Sequence, residues 1–189
     1  MIIGITGTFA SGKDTVAEYL AKKKGFERVT LSDIIREELK KRGLSETREN
    51  LQKIGNELRR QKGPLYLLKE ALSRVKSNKV VIAGVRQRDE ADFFKQGEDR
   101  ILLAVDAPPH IRFERLRARG RKGDTLTWEE FVAKEKEEMS GKGGIAQDVK
   151  YCMDKADFVL DNSGDEDYLY DQIDEILEII QEKEGQKSR

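Results

Sequence analysis

The amino-terminal segment MIIGITGTFASGKDTVAEYL constrains the fold of this chain more than any other stretch. Its apolar, β-branched start predicts a buried strand, and the apolar residues that follow Thr15 recur at helical spacing. Between the two lies a glycine-bracketed loop, residues 7–13, which ends in Lys13. A strand, a glycine-rich loop, a lysine and a helix in this order are typical of a phosphate-binding loop.

The loop has the residue types that the phosphates of a nucleotide require. Backbone N–H groups at the start of a helix converge on one point and favour negative charge there. Glycines let the backbone approach a phosphate because they lack a Cβ atom, and the lysine can then reach the β- and γ-phosphates. We therefore expect ATP to bind at Gly7, Thr8, Ala10, Ser11, Gly12, Lys13, Asp14 and Thr15.

One position of the loop departs from the usual pattern. The residue after the lysine is ordinarily a serine or threonine, whose hydroxyl binds Mg²⁺. Here Asp14 occupies that position, and Thr15 comes one residue later. The usual hydroxyl ligand is therefore missing from its place.

Length and charge limit the classes of protein to consider. A chain of 189 residues favours a single domain over 1–189. Acidic and basic residues number 36 each, and this zero net charge argues against general nucleic-acid binding and against a membrane partner. The single cysteine, Cys152, excludes a disulfide framework and favours a reducing cytoplasm. The oligomeric state is left open.

Strands and helices alternate along the rest of the chain. Apolar segments near 26–31, 80–83, 101–105 and 158–160 predict four further strands. The alternation predicts an α/β fold in which a five-stranded parallel sheet is flanked by helices on both faces. Ligands of such sheets bind beyond the carboxyl ends of the strands.

A helical block separates the second and third predicted strands. Its first helix has Ser32 as the expected N-cap, and Thr47 is expected to begin the next. We expect the block, about residues 32–76, to be an acceptor-binding insertion at the rim of the sheet.

Charged and polar side chains follow the predicted strands. A guanidinium group binds phosphate bidentately, and phosphoryl transfer needs cations around two phosphates but little covalent chemistry. This pattern indicates a kinase for a small phosphorylated acceptor. The residues concerned are Asp33, Arg36, Arg86, Arg88, Arg119, Arg121 and Asn162.

Six segments carry a resemblance to known proteins: IIGITGTFASGK, LSDIIREELKKRGLSETRENL, VVIAGVR, RFERLRARGR, TWEEF and ADFVLDNSG. The resemblance that rests on these segments covers most of the chain. This chain resembles the P-loop kinase group of nucleoside monophosphate kinases and dephospho-CoA kinase. More narrowly, it resembles the archaeal dephospho-CoA-kinase-like nucleotide kinases. The resemblance implies a three-layer P-loop NTPase fold with a lid at about 117–144.

The resemblance implies roles on the acceptor side of the site. Asp33 matches the carboxylate that lies beside the acceptor hydroxyl in dephospho-CoA kinases, as a base or a metal partner. Arg36 and Arg86 match arginines that bind the acceptor's phosphate. Lys13 would contact the transferring group from the donor side.

Further roles are implied for the donor side and the lid. Arg119 and Arg121 match lid arginines that close over the transferring phosphoryl group. The segment from Asn162 to Gly164 matches the loop that contacts the adenine of ATP.

The third predicted strand departs from this group. Relatives usually end it with an aspartate that steadies Mg²⁺ through water, whereas this chain has Ala83. An acid is thus lost at Ala83 and one is gained at Asp14. We therefore expect Asp14, together with Asp33, to hold the Mg²⁺ ion.

These features predict ATP-dependent phosphoryl transfer in which Asp33 orients or deprotonates the acceptor. Arg36 and Arg86 together favour a nucleoside monophosphate or its deoxy form, because its phosphate needs two clamps. Dephospho-CoA remains open as the acceptor. A weakly catalytic nucleotide-dependent switch or assembly factor also remains open, motivated by Ala83 and by the long predicted helices from Thr47 to Val75.

Overall fold

The computed structural model describes residues 1–120, 125–139 and 147–187. These residues form five strands and nine helices: β1 (Ile2–Gly7), α1 (Lys13–Lys24), β2 (Glu27–Thr30), α2 (Leu31–Lys41), α3 (Arg48–Lys62), α4 (Tyr66–Ser73), β3 (Val80–Ala83), α5 (Arg88–Lys95), β4 (Arg100–Asp106), α6 (Pro109–Arg119), α7 (Trp128–Met139), α8 (Val149–Asp154), β5 (Phe158–Asp161) and α9 (Glu166–Lys187). Within these three ranges, no helix combines the length and apolar character needed to cross a bilayer.

The strands form one sheet in the order β2-β3-β1-β4-β5. Every adjacent pair is parallel, and β1 lies in the centre between β3 and β4. The predicted five-stranded parallel sheet is therefore confirmed. The chain winds to one side of β1 through β2 and β3 and to the other through β4 and β5. The loops that follow β1 and β3 consequently open onto one crevice at the carboxyl edge of the sheet.

Helices cover both faces of the sheet, which completes the three predicted layers. Side chains alternate between the two faces along a strand, so Ile3 and Ile5 pack with α1 and α9 in one buried cluster. The opposite face packs with α2, α3, α4, α5 and α8 in a second cluster. Gly4 faces this second layer, where a Cβ atom would lie 2.4 Å from Cζ of Phe94. The central strand can therefore approach α5 closely only because it carries a glycine there.

The helical block between β2 and β3 consists of α2, α3 and α4. Thr47 begins α3 as predicted, and its hydroxyl accepts the Asn50 N–H at 3.1 Å. The prediction of Ser32 as an N-cap is wrong, because α2 begins at Leu31 with Thr30 as its N-cap. Leu31 is only 2 % exposed, so its burial draws the first turn of the helix onto the core directly after the strand.

Candidate active site

The loop between β1 and α1 has the backbone that its glycines allow. Gly7 and Gly12 both have positive φ angles, +145° and +97°. A Cβ atom would lie 2.1 Å from the Val105 carbonyl oxygen at Gly7 and 2.2 Å from Asn162 Nδ2 at Gly12. Both positions therefore require glycine, for conformation and for space.

Lys13 lies across this loop. Its Nζ donates hydrogen bonds to the carbonyl oxygens of Gly7 at 2.9 Å and Thr8 at 2.6 Å. Desolvation of the ammonium group, followed by the positive charge of Arg86, lowers the pKa of Lys13 to about 7, and Arg48 and Arg112 contribute in the same direction. Burial and, after it, the positive surroundings of Lys13 thus disfavour the charge on its own side chain. The phosphates of a nucleotide would reverse that balance.

The loop opens into a cleft of about 1610 Å³. Small-molecule pockets usually measure about 300–1,000 Å³, so this cleft has room for two ligands side by side. Most of the residues predicted from the sequence line it: Ala10, Ser11, Gly12, Lys13, Asp14, Thr15, Asp33, Arg36, Arg86, Arg119, Asn162 and Gly164. Gly7 and Thr8 belong to the loop but not to the lining, and Arg121 lies outside the described residues.

On the α2 side of the cleft, Arg36 and Asp33 contact each other. Arg36 Nη1 donates to Asp33 Oδ1 at 2.7 Å, and its Nε donates to Glu46 Oε1 at 2.6 Å. The Arg36 guanidinium is thus already oriented by two carboxylates. A phosphate in the cleft would have to replace one of these partners.

A buried ion pair fixes the loop after β3. The guanidinium of Arg59, on α3, donates two hydrogen bonds to Glu90 Oε1, at 2.6 and 3.0 Å. The second carboxylate oxygen of Glu90 accepts the Arg86 N–H at 3.0 Å. Arg59 is 7 % exposed and Glu90 is fully buried. The pair therefore ties the helical block to the backbone that carries Arg86.

The loop after β5 supports the phosphate-binding loop directly. Asn162 is buried, and its side-chain amide donates to the Ser11 carbonyl oxygen at 2.7 Å. Arg115, on α6, donates to the carbonyl oxygens of Asn162 at 2.7 Å and Gly164 at 3.3 Å. The predicted adenine-contacting loop thus lies at the cleft, with Arg115 held across it.

Further arginines at or beside the cleft are absent from the sequence prediction, among them Arg48, Arg112 and Arg115. Arg112 is 3 % exposed and donates to the Phe9 carbonyl oxygen at 3.1 Å. The Arg48 guanidinium lies 3.7 Å from the centroid of the Phe9 ring. Arg112 and Arg115 could have been predicted from the sequence, because their helical spacing places them on the same face of α6 as Arg119. Nothing local distinguishes Arg48 from the other charged residues of α3.

The predicted metal ligands, Asp14 and Asp33, both line the cleft, and each forms an ion pair with an arginine. Asp14 is exposed and accepts a hydrogen bond from Arg28 Nη2 at 3.0 Å, while Asp33 is paired with Arg36. Among the described residues, no group of three or more His, Cys, Asp or Glu side chains is placed to hold a metal. Mg²⁺ at phosphate sites takes only one or two carboxylates, since phosphates and water complete its coordination. Asp14, beside Lys13 on the cleft wall, fits that requirement.

Helix α7 packs against the phosphate-binding loop from outside. Phe131 is buried, and its ring stacks on Phe9 with 5.6 Å between centroids. Trp128, at the start of α7, packs on Phe131 and meets the edge of Phe113.

Cys152 is buried elsewhere, and desolvation raises the pKa of its thiol, so it is a packed side chain rather than a nucleophile.

The sheet order and the loop after its central strand define a P-loop kinase fold. Shikimate kinase from Bacteroides thetaiotaomicron has this fold, with a TM-score of 0.62, 15% identity, and coverage of 96% of this chain and 98% of that one. TT1252 from Thermus thermophilus is similar at a TM-score of 0.58 and 25% identity, over 94% of this chain and 96% of that one.

The sequence relatives identify the family more narrowly. The AAA_18 family, described as an AAA domain, matches residues 3–139. The UPF0200 protein of Thermococcus gammatolerans is 39% identical over 95% of both chains. This chain therefore belongs to the UPF0200 family. The narrower resemblance to dephospho-CoA-kinase-like nucleotide kinases stays a prediction.

Proposed function

We propose that this protein transfers the γ-phosphoryl group of ATP to a small phosphorylated acceptor, with a nucleoside or deoxynucleoside monophosphate favoured. The observation that carries the proposal is the convergence of Lys13 and several arginines on one cleft that has room for two ligands. Transfer between two phosphates needs positioning and charge neutralisation more than covalent chemistry.

The donor would bind along the phosphate-binding loop. Its backbone amides and Lys13 hold the β- and γ-phosphates, and Asn162 keeps the loop in shape through Ser11. Asp14, with Asp33, would hold Mg²⁺, which supplies charge neutralisation at the β- and γ-phosphates when bound. Arg119 and Arg121, in a lid at about 117–144, are proposed to neutralise the charge that develops on the transferring group.

The acceptor would bind on the opposite wall. Arg36 and Arg86 are proposed to clamp its phosphate, and the Arg59–Glu90 pair holds the Arg86 backbone in position. Asp33 orients the attacking group, or removes its proton if that group is a hydroxyl. In-line attack on the γ-phosphoryl then follows from the two ligands facing each other across the cleft.

Two other functions remain candidates. Dephospho-CoA fits the implied role of Asp33 beside an acceptor hydroxyl. A nucleotide-dependent switch or assembly factor is favoured by the ion pairs that already engage Asp14 and Asp33. The fold does not choose among these candidates, since a shikimate kinase shares it.

A coupled assay of ADP formation tests the proposal. The protein is incubated with Mg·ATP and either a panel of nucleoside and deoxynucleoside monophosphates or dephospho-CoA, and Lys13→Ala is the inactive control. We expect turnover with one or a few monophosphates and none with the control. Turnover only with dephospho-CoA would support that alternative. Tight ATP binding without any turnover, together with a protein partner recovered in an ATP-dependent pull-down, would support a switch.

We also propose a cytoplasmic location. The protein's single cysteine is a buried free thiol, which fits a reducing compartment. Localisation of a tagged chain tests this.

A further inference from the structure

One carboxylate in the cleft joins three separate elements. Glu138, near the end of α7, forms an ion pair with Arg48 Nη2, at the start of α3. Its Oε1 atom also lies 3.6 Å from Arg86 Nη1, in the loop after β3. The Glu138 side chain is only 11% exposed. Glu138 is thus hydrogen-bonded to Arg48 and lies close enough to Arg86 to interact with its charge, while Arg86 Nη1 donates its hydrogen bond to Gln147 Oε1 at 3.1 Å.

The position of this carboxylate is that of a ligand group rather than of a surface ion pair. Glu138, Arg48 and Arg86 all line the cleft that Lys13 enters. The Arg48 guanidinium is further oriented by the Phe9 ring, so its direction does not depend on Glu138 alone. Two guanidinium groups that face one acceptor group make the kind of site that binds a phosphate or a carboxylate.

We propose that Arg48 joins Arg36 and Arg86 in binding the acceptor's phosphate, and that Glu138 occupies the space between Arg48 and Arg86 as an internal substitute until the acceptor displaces it. This inference rests on the proposed function, and it adds Arg48 and Glu138 to that function. Displacement of Glu138 removes one of the contacts that hold α7 on the cleft. Binding of the acceptor thereby releases α7, which lies within the proposed lid, from its contact with Arg48 and leaves it free to move over the transferring group.

The competition gives the site a means of selecting its ligand. A carboxylate carries one negative charge, whereas a phosphate monoester carries about 1.5 to 2 and offers three acceptor oxygens. A phosphorylated acceptor therefore outcompetes Glu138, while a neutral acceptor has nothing with which to replace it. The internal carboxylate lowers the affinity of every acceptor that must open the site, and only an anionic acceptor offsets that cost through Arg48 and Arg86.

The sequence provides its own probe for this test. Trp128 is the single tryptophan of the chain, and it lies at the first residue of α7 among aromatic rings. Its fluorescence reports the packing of α7 on the rest of the protein. Glu138→Gln keeps the shape of the side chain but removes its charge. Glu129→Gln, at an exposed position of the same helix, is the matched control. Arg48→Gln removes one of the guanidinium groups of the site.

Inorganic phosphate is titrated into each variant after saturation with a non-hydrolysable ATP analogue, so that the phosphate-binding loop is already filled. We expect Glu138→Gln to bind phosphate about tenfold more tightly than the unmodified protein, Glu129→Gln to match that protein within about twofold, and Arg48→Gln to bind at least tenfold more weakly. The Trp128 emission of Glu138→Gln without phosphate should resemble that of the unmodified protein saturated with phosphate.

Each outcome decides a separate point. If the unmodified protein does not bind the ATP analogue, the proposed function fails before phosphate is added. If the analogue binds but Glu138→Gln leaves phosphate affinity unchanged or weaker, Glu138 has a structural role and the inference is overturned. Tighter phosphate binding with unchanged Trp128 emission would support the competition and overturn the coupled loosening of α7. Circular dichroism and the midpoint of thermal unfolding check that each variant is folded.

Discussion

Nucleotide binding should be coupled to the uptake of a proton by Lys13. Burial and neighbouring arginines, Arg86 first among them, lower the pKa of this lysine to about 7. Its side chain is therefore mostly a neutral amine at pH 8. Phosphates that bind beside it favour the ammonium form and raise the pKa again. Affinity should accordingly be highest below the pKa of the free protein and fall as the pH rises above it.

The size of the effect follows from this pKa. At pH 8 about nine-tenths of Lys13 is unprotonated in the free protein, so binding should take up about 0.9 proton. Between about pH 7.5 and pH 9 the affinity should fall roughly 20-fold, provided that the pKa in the complex lies above 9. The terminal phosphate of the nucleotide titrates near pH 6, so it contributes little over this range.

Isothermal titration calorimetry measures both quantities. Titrations of Mg²⁺-free ATP at one pH, in buffers that differ in ionisation enthalpy, give the number of protons taken up. Lys13→Arg is the control, because a guanidinium stays protonated throughout this range and should show neither uptake nor pH dependence. Uptake near zero at pH 8, with affinity flat to pH 9, would refute the conclusion that burial and the neighbouring arginines together disfavour the charge on Lys13 in the free protein.

Three further predictions concern the loop, the metal and the buried ion pair. Gly7→Ala should lower the free energy of unfolding by about 2–4 kcal/mol in urea denaturation, because its Cβ would meet a carbonyl oxygen of β4; a loss below about 1 kcal/mol would show that the loop can relax. Asp14→Ala should reduce Mg²⁺-dependent ATP turnover at least about tenfold, with Glu18→Ala one turn further along α1 as the control; near-normal activity would remove Asp14 as a metal ligand. Glu90→Ala should cost about 3–5 kcal/mol of unfolding free energy, since it leaves a buried guanidinium unpaired, whereas Glu70→Ala at a more exposed pair should cost less than about 1 kcal/mol. Similar losses for both would contradict the difference in burial.

The parts of the fold that local sequence encodes were predictable. Strand β3, Val80–Ala83, matches its predicted bounds, and Thr47 begins α3 as predicted, because a continuous apolar run and an N-cap residue can both be recognised in the local sequence. Helix α8 was not predicted. It has six residues, and its N-cap Asp148 is fixed by the Tyr151 N–H, a contact that spacing alone does not reveal.

The candidate site was likewise predictable only where its residues are contiguous in the sequence. The phosphate-binding loop is contiguous, so its glycines and Lys13 can be recognised directly in the sequence. Arg48 and Glu138 are 90 residues apart and meet only because α7 packs on Phe9 through Phe131. That meeting depends on how two helices cross, which no short motif specifies. The sequence can therefore supply the donor side of the site more completely than the acceptor side.

Direct transfer of a labelled phosphoryl group tests the central claim, which is that a polyphosphate held by the loop faces an acceptor held by arginines in the same cleft. The protein is incubated with ATP labelled at the γ-phosphate and the acceptor found in the panel, and the products are separated by chromatography. The account predicts that the label passes into the phosphorylated acceptor, and that Arg86→Ala abolishes this transfer while still binding ATP. Label that remains in ATP or appears only as inorganic phosphate, although both ligands bind, would contradict it.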